Sequence, residues 1–215
     1  MPFDQIFESK PFAVLYGDVV GSRLLPDQTA FQRTMRTAVA RLNEIFTQSL
    51  VEPFSVTEGD RIEGALASAV EAPLCVSVLR ETLAPVAIRI GIGIGTVRPT
   101  GDRGGDAYAL SRQALAAIAR DGGLTRYAGI GEAAEILLTE VCRLADPLIA
   151  ARTPKQWQAI AAFRSLGSQH AVAKHLGVAR QSIGDRLSAG HRREVEEADA
   201  AVATYLSFMR RQRVP

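Results

Sequence analysis

The stretch VAIRIGIGIGTV, residues 86–97, alternates without interruption. Side chains on an extended chain point alternately to opposite sides, so Ile88, Ile90, Ile92 and Ile94 share one face. Arg89, Gly91, Gly93 and Gly95 share the other, which is nearly bare. The pattern predicts a core strand. Its bare face suits either a helix packed close against the backbone or a ligand or second backbone approaching it. It is not a dinucleotide fingerprint, because these glycines lie inside a strand and not at a strand-to-helix turn.

Working outward, residues 12–21 (FAVLYGDVVG) read as a second apolar strand, broken by a single carboxylate, Asp18. Pro26-Asp27 opens a helix to about residue 49, with Phe31, Met35, Ala38, Val39, Leu42 and Phe46 at helical spacing. Residues 54–66 form a hairpin whose turn is Glu58-Gly59-Asp60, and a helix follows over about 68–83. After the alternating strand comes a loop at 98–106, then a helix to about 120. Further helical segments run to about 150, broken at Gly122-Gly123 and Gly129. The order β-α-β-β-α-β-α makes the front α+β, and its first six elements give the ferredoxin-like, split βαβ arrangement.

Composition narrows the function class. A chain of 215 residues with 47% hydrophobic and 22% charged residues is globular in type. Two cysteines exclude a disulfide framework and a cysteine-rich zinc module, and all three histidines follow residue 169. The longest apolar stretch falls short of the ~20 residues a membrane span needs. The start, MPFDQIFESKPF, lacks the basic-then-apolar order of a secretory signal, so a cytoplasmic protein is expected. The net charge of +2 conceals a division. Residues 1–151 hold 14 Lys+Arg against 18 Asp+Glu, whereas residues 152–215 hold 11 against 5. An acidic front and a basic tail suggest modules with different partners. The expected organisation is a ferredoxin-like domain over 1–151, an all-α DNA-binding domain over 152–190 and a C-terminal helix over 191–215.

Two carboxylates of the front stand out. Asp18 lies near the end of what would be a central strand, and Asp60 occupies the turn of the neighbouring hairpin. Close together at one end of a sheet, they can hold one or two divalent cations, Mg²⁺ or Mn²⁺, that neutralise a bound polyphosphate. The turn Gly21-Ser22-Arg23 offers backbone N–H groups and a guanidinium to phosphate oxygens. Arg89 and Arg112 are further anion partners. The alternative is structural: Asp18 in a local salt bridge or cap, and Asp60 as an ordinary turn residue.

The tail is helical throughout. Thr153-Pro154 starts one helix; residues 169–188, QHAVAKHLGVARQSIGDRLS, then fit a helix-turn-helix. Counting from Gln169, Ala173 is fifth, where two helices touch. Gly177 is ninth, where the turn needs positive φ. Ile183 is fifteenth and pins the second helix, with Val172, Leu176, Val178 and Leu187 completing the core. In such motifs the second helix enters the major groove of duplex DNA. Arg180, Gln181, Ser182 and Asp185 fall on its exposed side, Arg180 suited to guanine and Gln181 to adenine. Arg186, Arg192, Arg193, Lys155 and Lys174 are candidates for phosphate contacts. An αα-hairpin used for protein contacts is the alternative. Over 191–211 a stripe of Val195, Ala198, Val202, Tyr205 and Met209 suits either a seam between two copies, which makes a homodimer the expectation, or packing back on the tail helices.

The front resembles class III nucleotidyl cyclase catalytic domains through YGDVVGS at 16–22, EGD at 58–60 and IRIGIGIGTV…GGDAYALSR over 88–112. The resemblance implies metal binding by Asp18 and Asp60 and transition-state stabilisation by Arg112. It departs from that family at Tyr108, where an asparagine is usual, at Val56, where a lysine is usual, and at Arg61 beside the second aspartate. Over nearly its full length the chain also resembles the SatD family. GDVVGSR at 17–23, VTEGDRIEG at 56–64, RIGIGIG at 89–95, AYALSRQAL at 107–115 and TPKQWQAI…AVAKHLGVARQSIGDRL over 153–187 carry that likeness. Three readings follow: a DNA-binding regulator whose front senses a nucleotide or phosphate ligand, a Mg²⁺-dependent nucleotidyl cyclase or nucleotide hydrolase, and an inert interaction module.

Overall fold

Strand β1 (Phe12–Val19) lies at the centre of a five-stranded sheet, in a computed structural model that describes residues 11–98 and 104–212. It pairs antiparallel with β3 (Arg61–Leu66) on one side and β4 (Ile88–Gly95) on the other. Strand β2 (Leu50–Thr57) pairs antiparallel with β3, and β5 (Thr125–Ala128) pairs parallel with β4, giving the order β2-β3-β1-β4-β5. The sheet begins a mixed α+β chain whose remainder is helical.

The period-two pattern of β4 decides what covers each face. Ile88, Ile90, Ile92 and Ile94, all buried, join Ala13, Leu15 and Val19 of β1 in the main core. Over them pack α1 (Gln28–Ile45) through Phe31, Met35, Ala38 and Leu42, and α2 (Ala72–Leu83) through Cys75, Val76, Leu79 and Leu83. Helix α1 starts where expected, with the Ala30 N–H donating to the Asp27 carboxylate at 2.8 Å. On the opposite face lies α3 (Asp106–Asp121), directly against the glycines. A Cβ at Gly91 would stand 2.1 Å from the Ser111 carbonyl oxygen, and one at Gly93 2.1 Å from that of Ala107. The bare face therefore serves helix packing, and α3 leaves no room there for a ligand.

Three boundaries differ from the sequence reading. Strand β2 begins at Leu50, four residues earlier than expected, and carries register shifts between Leu50, Glu52 and Ser55 around Pro53. Proline is tolerated there because β2 is an edge strand. Strand β5 is a strand where only helix and breaks were expected, since four residues are too few to show a period. Helix α1 ends at Ile45, and not near residue 49. Residues 99–103 of the expected 98–106 loop lie outside the described residues.

Helix α4 (Glu132–Ala150) follows β5, and Ala151–Thr153 connects it to α5 (Pro154–Leu166). Helices α6 (Gln169–Leu176) and α7 (Arg180–Ala189) come next, then α8 (Arg192–Gln212). Helices α5, α6 and α7 share a small core of Ala159, Ile160, Val172, Ala173, Ile183 and Leu187. Helix α8 does not stay with them. Val195 packs with Ile149 and Trp157, while Val202 and Leu206 belong to the main core over the sheet. The stripe expected to pair two copies is thus covered by the chain's own front, because its buried members complete a core already there. No described helix is long and apolar enough to cross a membrane.

Candidate functional site

Asp18 is the cross-strand neighbour of Arg61 on β3 and of Arg89 on β4. The antiparallel register thus sets one carboxylate between two arginines. Arg61 Nε lies 3.7 Å from Asp18 Oδ1, and its Nη1 bonds Glu58 and donates to Tyr16 Oη at 3.1 Å. Partial burial pulls the Arg61 pKa down, but Tyr16, Glu58 and Asp18 outweigh it and leave the guanidinium more firmly protonated than usual. Asp60 lies beside the same strand end, its carbonyl accepting from the Val19 N–H at 3.3 Å. Its carboxylate accepts a 2.6 Å hydrogen bond from Ser22 Oγ.

Further along the same face, Arg112 of α3 donates to Glu63 Oε1 at 3.0 Å. Glu63, whose side chain is 1% exposed, is a functional-looking residue that the sequence reading missed. Its only signal was its place two residues after Arg61, hence on the same face of β3. Arg112 and Arg61 also approach the Tyr16 ring, at 5.5 and 5.8 Å from its centroid. Arg23 is exposed, and Gly21 adopts φ 68° at the start of the turn.

Both carboxylates expected to hold a cation already have partners in the fold. Asp18 already faces a full positive charge, and Asp60 is engaged by a hydroxyl. No group of three or more His, Cys, Asp or Glu side chains among the described residues could hold a metal ion. Arg61 sets one positive charge against Asp18, so a Mg²⁺ or Mn²⁺ ion bound there would have to displace it or be repelled by it. Arg112, expected to face phosphate, is paired with Glu63.

In the tail, α6 ends at Gly177 with φ 65° and ψ 35°, the left-handed conformation that the ninth position requires. Val178 and Ala179 follow, and α7 starts at Arg180. Ile183 is fully buried and Ala173 nearly so, while Arg180, Gln181 and Asp185 are exposed and Ser182 half-buried. Ala179, the N-cap of α7, supplies no side-chain hydrogen bond to the first turn. Lys155, Lys174 and Arg193 are exposed and Arg186 is half-buried. Arg192 departs from expectation. Its guanidinium bonds Glu196 and lies 4.5 Å from the Phe163 ring centroid, so it ties α8 to α5 and is not free for phosphate.

A buried polar seam, absent from the sequence reading, holds this tail on the front. Glu81 of α2 receives three hydrogen bonds from Arg164 of α5, at 2.7–2.9 Å. Ser77 donates to Asp199 of α8 at 2.5 Å; within the tail, Arg152 donates to the Gly190 carbonyl at 2.7 Å and covers the Trp157 ring at 4.7 Å. Burial lowers the Arg152 pKa to about 10, which leaves it charged at neutral pH. These partners stand 38 to 122 residues apart, beyond the reach of any local pattern.

Comparison with known proteins bears on the front. Residues 12–126 match the model of the SatD family. No curated protein matches the chain. Among solved structures, one that is similar is a bacterial light-regulated adenylyl cyclase, at 11% identity and a TM-score of 0.38. The match covers 54% of this chain and 74% of that one. Another is a regulator of polyketide synthase expression from Bifidobacterium adolescentis, at 17% identity and a TM-score of 0.26, covering 95% and 87%.

Proposed function

The chain belongs to the SatD family, and we propose that it is a DNA-binding regulator. In this reading β1–β4 with α1 and α2 form a ferredoxin-like scaffold, α6 and α7 form a helix-turn-helix, and α7 reads duplex DNA. The observation that carries it is the turn itself: a left-handed Gly177 between two short helices, with Ala173 and Ile183 buried at the contact. That packing leaves Arg180 and Gln181 exposed in the first turn of α7, where a recognition helix meets base edges. Lys174, near Arg180, is an exposed cation suited to phosphates, as are Lys155 on α5 and Arg193 on α8, the latter within 3.6 Å of Glu197. The uncapped N–H groups at the start of α7 are further donors for a phosphate oxygen. The excess of six positive charges over residues 152–215 supplies the attraction.

The enzyme reading has less behind it. Metal-dependent cyclisation or hydrolysis of a nucleotide would need carboxylates and arginines free to meet metal and phosphate. Here Arg61 faces Asp18 and Arg112 faces Glu63.

Selection from a random duplex library, followed by fluorescence anisotropy of the selected site against salt, tests the proposal. Affinity should fall steeply as salt rises. Arg180→Ala should cost about 1–3 kcal/mol and relax preference at one base pair. Lys174→Ala should weaken all sequences alike and lower the salt slope by about one. Absence of binding to any duplex at low salt would sink the proposal.

A further inference from the structure

Helix α7 turns into α8 at a bend made by Gly190 and His191. The His191 N–H donates to the Ser188 carbonyl at 2.9 Å, and the Val195 N–H donates to the His191 carbonyl at 3.2 Å. One residue thus closes the first helix and opens the second. It does so at φ 50°, in the left-handed region that a residue with a Cβ enters at a cost. The bend is tightly packed: a Cβ at Gly190 would stand 3.0 Å from the Arg186 carbonyl oxygen and 3.1 Å from Ile160 Cδ1.

Arg152 braces this bend from the connection between α4 and α5. Its Nε donates to the Gly190 carbonyl at 2.7 Å, and its Nη2 donates at 3.4 Å to the His191 carbonyl. The guanidinium also lies 4.7 Å from the Trp157 ring centroid. Two successive carbonyls and a ring plane suit the planar fork of arginine and no other side chain. Trp157 packs in turn with Ile149 of α4 and Val195 of α8. A cation at the carbonyl end of α7 complements the helix dipole as well.

We propose that Arg152 is the positioning residue of α7, setting the angle at which the exposed first turn of that helix is presented. It acts from the far end. Helix α7 has 10 residues and is about 15 Å long. A swing of about 10° at Gly190 therefore moves Arg180 by about 2–3 Å, more than a hydrogen bond to a base edge tolerates. Arg152 is not itself a DNA contact, being half-buried and committed to two carbonyls and a ring. Its consequence for DNA rests on the DNA-binding reading; the geometry of the bend does not.

Spin labels at Ala40→Cys on α1 and Gln181→Cys on α7, both exposed positions, read the placement of α7 by double electron–electron resonance on the full chain. The native thiols stay unlabelled, because burial raises the Cys75 pKa well above its ordinary value and that of Cys142 to about 12. With Arg152 intact, one narrow distance is expected. Arg152→Met should broaden or shift it. Without labels, the same change should weaken binding to the selected duplex about tenfold at an unchanged salt slope, since no phosphate contact is lost. Arg152→Lys keeps the charge without the fork, so it should fold and fall between the two in both measurements. A residue that only stabilised the tail would lower the melting temperature and leave distances and folded-state affinity alone. The proposal is overturned if both variants keep the wild-type distance, or if affinity is lost through a reduced salt slope. Should the wild type bind no duplex, the DNA-binding reading falls, and the distances still decide whether Arg152 positions α7.

Discussion

Glu81→Gln asks whether the tail is clamped to the front or merely leans on it. The Glu81 side chain is 3% exposed and that of Arg164 is 24% exposed. Arg164 Nε donates to both carboxylate oxygens, at 2.9 and 2.8 Å, and Nη2 donates to Oε1 at 2.7 Å. Burial alone would lower the Arg164 pKa, but the hydrogen bonds and charge of Glu81 leave it raised. Hydrogen bonds to charged groups contribute about 1.5–3 kcal/mol net, and stranding one member of a buried pair costs about 3–5 kcal/mol. Arg164 recovers part of its hydration through its exposed quarter, so Glu81→Gln should cost about 2–3 kcal/mol. Arg164→Met strands the more buried partner and should cost about 3–4 kcal/mol. The double variant should fall short of the sum by about 2 kcal/mol, a factor of roughly 30 in the unfolding constant. Urea unfolding followed by the single tryptophan, Trp157, reports on this region because the residue packs at the junction with Ile149 and Val195. Additive single effects, within about 0.5 kcal/mol, would refute the clamp.

Gly93→Ala puts a methyl 2.1 Å from the Ala107 carbonyl oxygen, so α3 must lift. A loss of about 3 kcal/mol is expected in chemical denaturation, and an unchanged midpoint would contradict the contact. Asp199 carries a carboxyl pKa raised above 3.8, chiefly by burial, with Ser77 and nearby arginines opposing. The folded state therefore holds that proton to higher pH than the unfolded state, and stability declines as pH rises from 3.8 through the native value. Asp199→Asn keeps an acceptor for Ser77 and should flatten that decline in melting temperature against pH; a slope identical to wild type would count against the assignment. Arg61→Ala frees Asp18 and Glu58, so Mn²⁺ should stabilise this variant but not the wild type. At ten times Kd the gain is about 1.4 kcal/mol by thermal shift, and equal responses of the two proteins would show that Arg61 is not what excludes the metal.

How far the sequence could be read depended on how local the cause was. The isoleucine–glycine alternation over 88–95 announced a strand with one bare face, because period and side-chain size are properties of consecutive residues, and the fold put α3 on that face. The left-handed Gly177 and the burial of Ala173 and Ile183 were legible because their causes lie within twenty consecutive residues. Strand β5 was illegible because four residues carry no period. The Asp18 site was legible as a position, and its charged neighbours were not. What decides its chemistry is the register that sets Arg61 and Arg89 opposite it, which pairing fixes and composition does not. Arg192 looked like a phosphate ligand until the fold brought Phe163 beside it. Glu81 with Arg164 gave no signal at all, their partnership resting on an 83-residue separation.

The return of α8 to the sheet sets a schedule for synthesis. Domains generally fold from the N-terminus as they leave the ribosome, but Val202 and Leu206 belong to the core that β1 begins. The front cannot seal that core until α8 has emerged, by which time α5, α6 and α7 are already outside. Scaffold and α7 therefore mature together. A product lacking α8 would carry an open apolar face, which exposes it to proteolysis.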